Sequence, residues 1–443
     1  MRKRRDWALK IGATQLQNND RAASRYSLKV KTIAIKAIRP PSENIVRMGG
    51  MRIRTLIMLL RLVVMLASAT VRAPRWRAPS REAHTIVREL GAADTVSWSV
   101  QTSGIDTNLR GVSATGSIDS NGTEHIAVWA CGSNGVILHS NDLGKTWQRL
   151  HVAGGDALDF RSIVAFDAKN AFVMSSGKAD KSRIYKTTNG GENWKLEFTD
   201  SREAFFLDAL ACDGECYALS DPIDGKFVIV ATHHYEDWKE LPGDGMPAAF
   251  PGEGAFAASG TSLAVNNDAG MYFGTGGGKA ARVFYSADLG KTWSAVETPI
   301  ASGSASSGIF SISSTTYAVN VVGGDYKDQN RPYRVAAYSQ DQGKTWRLAA
   351  QQPGGYRSAV ASVDGATLTA VGPSGEDVSD DFGVHWKHTD SLDLNAVFVL
   401  DDHNAWAVGA KGTIARLVNR KQYLIRNDSG KDDSTLAFTS SIK

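Results

Sequence analysis

The sequence predicts an all-β chain folded as a single seven-bladed β-propeller with four-stranded blades. Two observations carry that expectation: an eight-residue turn motif recurs along the chain, and Trp residues recur at near-even spacing through the same region. A third, the alternation of apolar and polar residues between those turns, supplies the strands.

The turn motif occurs as Ser140-Asn-Asp-Leu-Gly-Lys-Thr-Trp147, Thr187-Thr-Asn-Gly-Gly-Glu-Asn-Trp194, Ser286-Ala-Asp-Leu-Gly-Lys-Thr-Trp293, Ser339-Gln-Asp-Gln-Gly-Lys-Thr-Trp346 and Ser379-Asp-Asp-Phe-Gly-Val-His-Trp386. A worn copy reads His233-His-Tyr-Glu-Asp-Trp238. This is the Asp box, a hairpin turn with a structural role. Asp142, Asn189, Asp288, Asp341 and Asp381 are expected to accept backbone N–H bonds, and the following Gly to supply a positive φ. Trp147, Trp194, Trp293, Trp346 and Trp386 are expected to pack between neighbouring sheets.

Counting Trp98 at the front and Trp238 in the worn copy, seven Trp stand 40 to 55 residues apart. That interval fits one four-stranded blade. Six intervals give six blades. The seventh must combine 394–417 with Ser97-Trp-Ser-Val100, so that the N-terminal strand closes the ring and removes free sheet edges. In the first blade the expected strands are Leu109–Ala114, Ile126–Cys131, Gly135–His139 and Trp147–Val152. In the last they are Leu394–Leu400, Ala405–Gly409 and Thr413–Leu417.

The ends differ from this body. The chain of 443 residues has a formal charge of +4. Residues 1–50 contribute +9 and 51–97 contribute +5, whereas 98–417 hold 25 Lys/Arg against 37 acids, a net of −12, and the last 26 residues add +2. The acidic body argues against nucleic-acid binding, which needs a clustered positive field. From Met51 a charged start, Arg52 and Arg54, precedes an apolar run interrupted only by Arg61 and then Ala67-Ser68-Ala69. This is the layout of a secretory signal peptide, too short for a comfortable span of about 20 residues. The division read from the sequence is an upstream extension or disordered basic arm (1–50), a signal peptide (51–73), a linker (74–94), the propeller (95–417) and a disordered tail (418–443). A secreted or periplasmic monomer, with no membrane span after cleavage, is expected.

The segments Leu394-Asn-Ala-Val-Phe-Val399, Asn404-Ala-Trp-Ala-Val-Gly-Ala-Lys-Gly-Thr-Ile414 and Tyr185–Trp194 resemble the bacterial relatives of the plant photosystem II stability/assembly factor, a propeller family with BNR/Asp-box repeats. The resemblance covers residues 97–417. It implies a secreted or lumenal propeller that acts as a chaperone-like assembly factor rather than an enzyme. Sialidases and xyloglucan-cleaving enzymes also carry Asp boxes and supply the alternative, a glycoside hydrolase.

Aligning the inner strands places one polar residue at the same point of each blade: Arg110, Arg161, Asp208, Glu253, Ser307, Arg357 and Asn395. They are expected to ring the channel mouth and bind a protein or an anionic or carbohydrate ligand. A one-residue slip in register would turn them away. Arg282, Asp325 and Tyr326 lie in loops on the same face. Asp208, Glu253 and Asp221 are the candidates for a hydrolase, which needs carboxylates about 5–5.5 Å apart if retaining or about 6.5–9.5 Å if inverting. The Arg-Ile-Pro motif and Tyr–Glu pair of sialidases are missing, and only one propeller is present.

No cofactor or metal is expected. Gly274-Thr-Gly-Gly-Gly-Lys279 is followed by Ala280, where a phosphate loop needs Ser or Thr. His233 and His234 read as a solvated turn rather than a metal site. Cys212 and Cys216 span a tight hairpin and are well placed for a disulfide in an oxidising compartment. Cys131 reads as a buried small apolar side chain.

Overall fold

The structure, a computed structural model, describes residues 97–268 and 270–418. The expected upstream arm, signal peptide and linker lie outside the described residues, as does the expected tail beyond Val418. Seven four-stranded antiparallel sheets follow one another along the chain. Their inner strands are Leu109–Ile118, Asp159–Ala165, Leu207–Asp213, Leu263–Asn266, Ser307–Ser314, Ala359–Ser362 and Leu394–Val399. Each lies beside the next, and the seventh lies beside the first, which completes a ring.

Ring closure uses the two ends of the described chain. Ser97–Gln101 pairs antiparallel with Ile414–Val418, setting Ser97 opposite Val418 and Gln101 opposite Ile414. Val418, assigned to the tail in the sequence reading, is therefore the last residue of a paired strand. In the first blade the inner strand runs on to Ile118, and the outer strand is only Gln148–Leu150 because Trp147 belongs to the turn. Among the described residues no helix is long and apolar enough to cross a membrane.

The core lies between blades rather than in a single centre. Trp129, Ile137 and Leu150 of the first blade pack against Ile163, Val173 and Tyr185 of the second, with Trp194 covering the cluster. The same arrangement recurs around the ring, so each sheet buries both faces against its neighbours.

The Asp-box turns join the third and outer strands within a blade. In the first, Asp142 Oδ1 accepts the Thr146 N–H at 2.9 Å and the Ser140 hydroxyl at 2.8 Å. Thr146 Oγ1 donates to Asp142 Oδ2 at 2.7 Å, and the Gly144 N–H reaches Ser140 Oγ at 2.9 Å. Leu143 and Gly144 both have positive φ, at 65° and 80°. The box therefore forces a non-glycine residue into the left-handed region and holds it there with side-chain bonds. Leu289, Gln342 and Phe382 repeat this at 55°, 60° and 64°.

At the other end of the inner strands lies a second recurrent device. Pairing with the second strand shifts between Leu109 and Gly111, Phe160 and Ser162, Leu207 and Ala209, Ile309 and Ser311, and Leu394 and Ala396. Each shift leaves one residue outside the ladder: Arg110, Arg161, Asp208, Phe310 and Asn395. A bulge of this kind bends the strand and re-aims the extra side chain.

Candidate functional site

Four of those five bulge residues, Arg110, Arg161, Phe310 and Asn395, line one cavity of about 480 Å³ at the mouth of the ring. Phe256, Tyr326 and Tyr356 complete its apolar side. Phe256 stacks on Phe310 with centroids 3.9 Å apart and planes 13° apart. Tyr356 meets Phe310 edge-on at 4.8 Å, and Tyr326 does so at 6.0 Å. The wall is held from behind by backbone contact. Gly276 bridges to both Gly254 and Gly308. A Cβ on Gly276 would stand 2.5 Å from the Gly308 Cα and 2.7 Å from the Phe256 ring, so only glycine permits the approach.

The two guanidiniums are held differently. Arg161 donates to Asp159 Oδ2 through Nε at 2.7 Å and lies within 2.6 Å of the same oxygen through Nη2. Its Nη1 donates to the Ala257 carbonyl at 2.6 Å. Asp159 is itself fixed by the Ser133 hydroxyl at 2.9 Å. Among the described residues Arg110 has no such clamp, and its buried Nε donates to none of their groups. Burial lowers its pKa, the neighbouring Arg161 lowers it further, and Asp159, Tyr356 and Asp393 act in the opposite direction. An arginine so placed stays charged at neutral pH and is short of hydrogen-bond acceptors. Asn395 donates through Nδ2 to the Leu109 carbonyl at 2.9 Å, tying the last blade to the first.

Asp208, the fifth bulge residue, is 1% exposed and does not border the cavity. Burial, reinforced by the nearby Asp221 carboxylate, holds its pKa well above the ordinary carboxylate range, and Arg161 offsets only part of this. Asp221 accepts the Ala255 N–H at 3.0 Å, and burial raises its pKa to about 6.

Besides Asp208, three further members of the expected ring are elsewhere, each for a reason of register. In the sixth blade Gly372 abuts the Tyr356 carbonyl as Gly132 abuts that of Asn108. Arg357 thus takes the place of Leu109, one residue away from that of Arg110, and turns into the blade. There its Nε donates to Asp377 Oδ2 at 2.6 Å, with both side chains essentially unexposed. Ser358 borders the cavity instead. In the fifth blade the bulge falls on Phe310, and Ser307 lies in a serine cluster, donating to the Ser304 carbonyl at 3.2 Å. In the fourth blade the inner strand begins at Leu263, so Glu253 lies in the segment before it.

Glu253 is occupied by a buried partner set. Arg282 Nε donates to its Oε1 at 2.9 Å, Thr275 Oγ1 to the same oxygen at 2.6 Å, and the Phe250 N–H to Oε2 at 2.7 Å. Arg282 also stacks over the Phe250 ring at 3.8 Å. Asp325 accepts the Lys327 N–H at 3.0 Å beside a separate depression, whereas its neighbour Tyr326 reaches the mouth. The structure therefore brings together Arg110, Arg161, Asn395 and Tyr326. It adds Phe256, Phe310 and Tyr356, which a search restricted to polar residues passes over. The run Ile309-Phe-Ser-Ile312, parallel to Leu109-Arg-Gly-Val112, is the signal that marks Phe310.

Cys212 and Cys216 are joined by a disulfide across the hairpin between the inner and second strands of the third blade. Cys131 is buried, and burial raises its thiol pKa far above the ordinary range.

The family model described as Photosynthesis system II assembly factor YCF48 matches residues 91–354. The chain is 33% identical over 88 residues to the Photosystem II assembly lipoprotein Ycf48 of Synechococcus sp. (strain CC9902), covering 20% of this chain and 24% of that protein. It is 24% identical over 184 residues to the Photosystem II stability/assembly factor HCF136, chloroplastic, of Arabidopsis thaliana, covering 39% and 43% respectively. It thus spans under half the length of these curated relatives. YCF48 from Cyanidioschyzon merolae superposes with a TM-score of 0.52 at 14% identity, over 73% of this chain and 99% of that one. A structure of YCF48 bound to D1 peptide gives 0.52 at 13% identity, over 74% and 98%. Identities this low speak for the shared propeller fold alone. The family match extends over more than half the residues, and the chain belongs to the photosynthesis system II assembly factor YCF48 family.

Proposed function

We propose that this propeller is an extracytoplasmic assembly factor that holds a segment of a partner polypeptide in its mouth. The observation that carries the reading is the composition of one cavity: two guanidiniums, one of them short of acceptors, face a wall of Phe256, Phe310 and Tyr356. A carboxylate answers the first feature and an adjoining apolar side chain the second. The preferred ligand is therefore a peptide with an acidic group next to a bulky apolar residue. A solved YCF48 structure bound to D1 peptide supports a polypeptide ligand for a propeller of this fold. Placement outside the cytoplasm rests on the signal-like run from Met51, on the Cys212–Cys216 disulfide and on relatives named as a lipoprotein and as chloroplastic.

Glycoside hydrolysis gains no support from the geometry. Asp208 is buried away from the cavity and Glu253 is enclosed by Arg282, Thr275 and Phe250. Neither presents a carboxylate where a sugar could sit.

Fluorescence polarisation with labelled hexapeptides pairing Asp or Glu with Leu or Phe tests the binding reading. Arg110→Gln and Phe310→Ala are each expected to weaken the best peptide by about ten-fold or more, as loss of a charged hydrogen bond or a buried aromatic contact does. Equal binding by wild type and the Arg110→Gln/Phe310→Ala double variant would remove the mouth from the account.

A further inference from the structure

The third blade carries the worn Asp box, and its turn is built from other parts. Aligned on Trp238, the box Ser is replaced by Ala231, the Asp by His233 and the Gly by Tyr235. The backbone nevertheless keeps the Asp-box shape: His234 and Tyr235 have φ of 53° and 58°, in the places of Leu143 and Gly144. Two consecutive non-glycine residues thus occupy the left-handed region without the Asp or Asn side chain that holds the other boxes.

Beyond the Thr232 hydroxyl, which donates to the Glu236 carbonyl at 3.1 Å, and the Glu236 N–H, which donates to that of His233 at 3.2 Å, further support comes from outside the turn. Glu215 accepts the His234 N–H with both carboxylate oxygens, at 3.2 and 2.9 Å. Lys186 donates to the Tyr235 carbonyl at 2.7 Å, and the Tyr235 ring packs on Phe166 with centroids 4.9 Å apart. Glu215 is itself pinned. It stands at the tip of a hairpin, opposite Asp213 and adjacent to Cys216, and the disulfide clamps Cys212 to Cys216 with Cα atoms 4.1 Å apart. Backbone strain kept in place by its surroundings is characteristic of ligand clamps.

From this arrangement we infer that Glu215, His233 and His234 form a binding site for a divalent transition-metal ion on the face opposite the mouth. Each residue offers one ligand atom, and these atoms all lie within 4.8 Å of one another. His233 Nδ1 stands 3.5 Å from Glu215 Oε1, and the two imidazole rings are 4.0 Å apart. Ligand atoms around a tetrahedral Zn²⁺ stand roughly 3.3 Å apart, given metal–ligand bonds of about 2.0–2.2 Å. Rotation of two exposed imidazoles covers the difference. Among the described residues no Lys or Arg forms an ion pair with Glu215 or Asp213, so the local charge is left for a cation to answer.

The donor set chooses the ion. Two imidazoles and one carboxylate suit Zn²⁺, Ni²⁺ or Cu²⁺, whereas Ca²⁺ and Mg²⁺ require mostly oxygen ligands. Three protein ligands on an exposed turn leave further positions for water or for a side chain of another molecule. The sequence reading of a solvated His-His turn lacked Glu215, which is distant along the chain and reaches the turn only through the hairpin.

The test is calorimetric titration of the tag-free full-length chain with ZnCl₂ under non-reducing conditions. One Zn²⁺ per chain is expected. His233→Ala and His234→Ala should each weaken binding at least ten-fold. Glu215→Gln keeps an oxygen to accept the His234 N–H while removing the anionic ligand, and should weaken binding by a similar factor. Thermal denaturation without metal distinguishes ligand loss from misfolding: both His variants should melt as wild type, and only wild type should gain stability as Zn²⁺ rises. Absence of stoichiometric uptake, uptake untouched by the His substitutions, or tighter binding of Ca²⁺ than Zn²⁺ would each overturn the site. Because it lies away from Arg110 and Phe310, its failure leaves the peptide-binding reading of the mouth unaffected.

Discussion

The two faces of the propeller treat polar groups in opposite ways. At the Asp-box turns each carboxylate is matched on the spot by hydroxyl and N–H donors within a few residues. The Thr292 hydroxyl and N–H, assisted by Ser286 and Lys291, hold the Asp288 pKa down to about 2. At the bulges the balance fails: among the described residues Arg110, which borders the cavity, has a buried Nε without an acceptor, and Asp208, set away from it, has a buried Oδ2 without a donor. Repetition supplies turns whose carboxylates are met locally. Unpartnered buried polar atoms occur around the ring, and among the described residues that line the cavity the one that carries such an atom is Arg110.

Three experiments probe this contrast, the first comparing two arginines, one of them turned away from the cavity. Arg357 and Asp377 form an ion pair and are essentially unexposed. Asp377→Ala leaves a guanidinium buried without its counter-ion and is expected to cost about 3–5 kcal/mol, read from urea unfolding. Arg110→Gln should cost far less, since no protein acceptor for Nε is lost. Equal losses in the two variants would erase the distinction between an arginine clamped by a buried carboxylate and one without that clamp.

A second probe uses pH. Burial raises the folded pKa of Asp221 to about 6 from an ordinary 3.8, so the native state holds a proton that the unfolded chain releases. Stability from this group is fully present below about pH 4 and lost as pH rises through about 6. Asp221→Asn should therefore stabilise the protein at pH 7 by about 3 kcal/mol and flatten the pH profile between those limits. Unfolding midpoints measured across that range decide it, and a destabilised Asn variant at pH 7 contradicts the reading.

The Asp box should respond with the opposite sign and more weakly. Hydrogen bonds from the Thr345 hydroxyl and N–H, with help from Ser339 and Lys344, lower the Asp341 pKa to about 2. Its contribution is present above the unfolded pKa and lost as pH falls through the folded one. Asp341→Ala is expected to cost about 1 kcal/mol at neutral pH, the net worth of a lost turn bond, and nothing once the wild-type carboxyl is protonated. Acid thus loosens one face of the ring while relieving the other.

The architecture was legible because it is written in large, repeated side chains. Trp at blade intervals, Gly after Asp, and Ser97–Val100 without partners of its own lead directly to seven sheets and a closure strand. The mouth was only half legible, and the reason is geometric. Aligning polar residues assumes that each bulge holds a polar side chain in the same register. Arg110, Arg161, Asp208 and Asn395 meet that assumption. Phe310 breaks it by chemistry, Arg357 by a shift of one residue, and Glu253 because its strand begins later, at Leu263. The pairing of Glu215 with His233 could not be read at all, since neither residue carries a signal pointing to the other.

The strand Ser97–Gln101 also imposes an order on synthesis. Its partner, Ile414–Val418, is the last described part of the chain to be made, so the first strand must wait through six complete blades before it can dock. Until then the growing ring has an open seam, a row of unpaired amides at each end that could capture a second chain. Closure across the whole domain is among the least local contacts a fold can require, and such contacts form slowly.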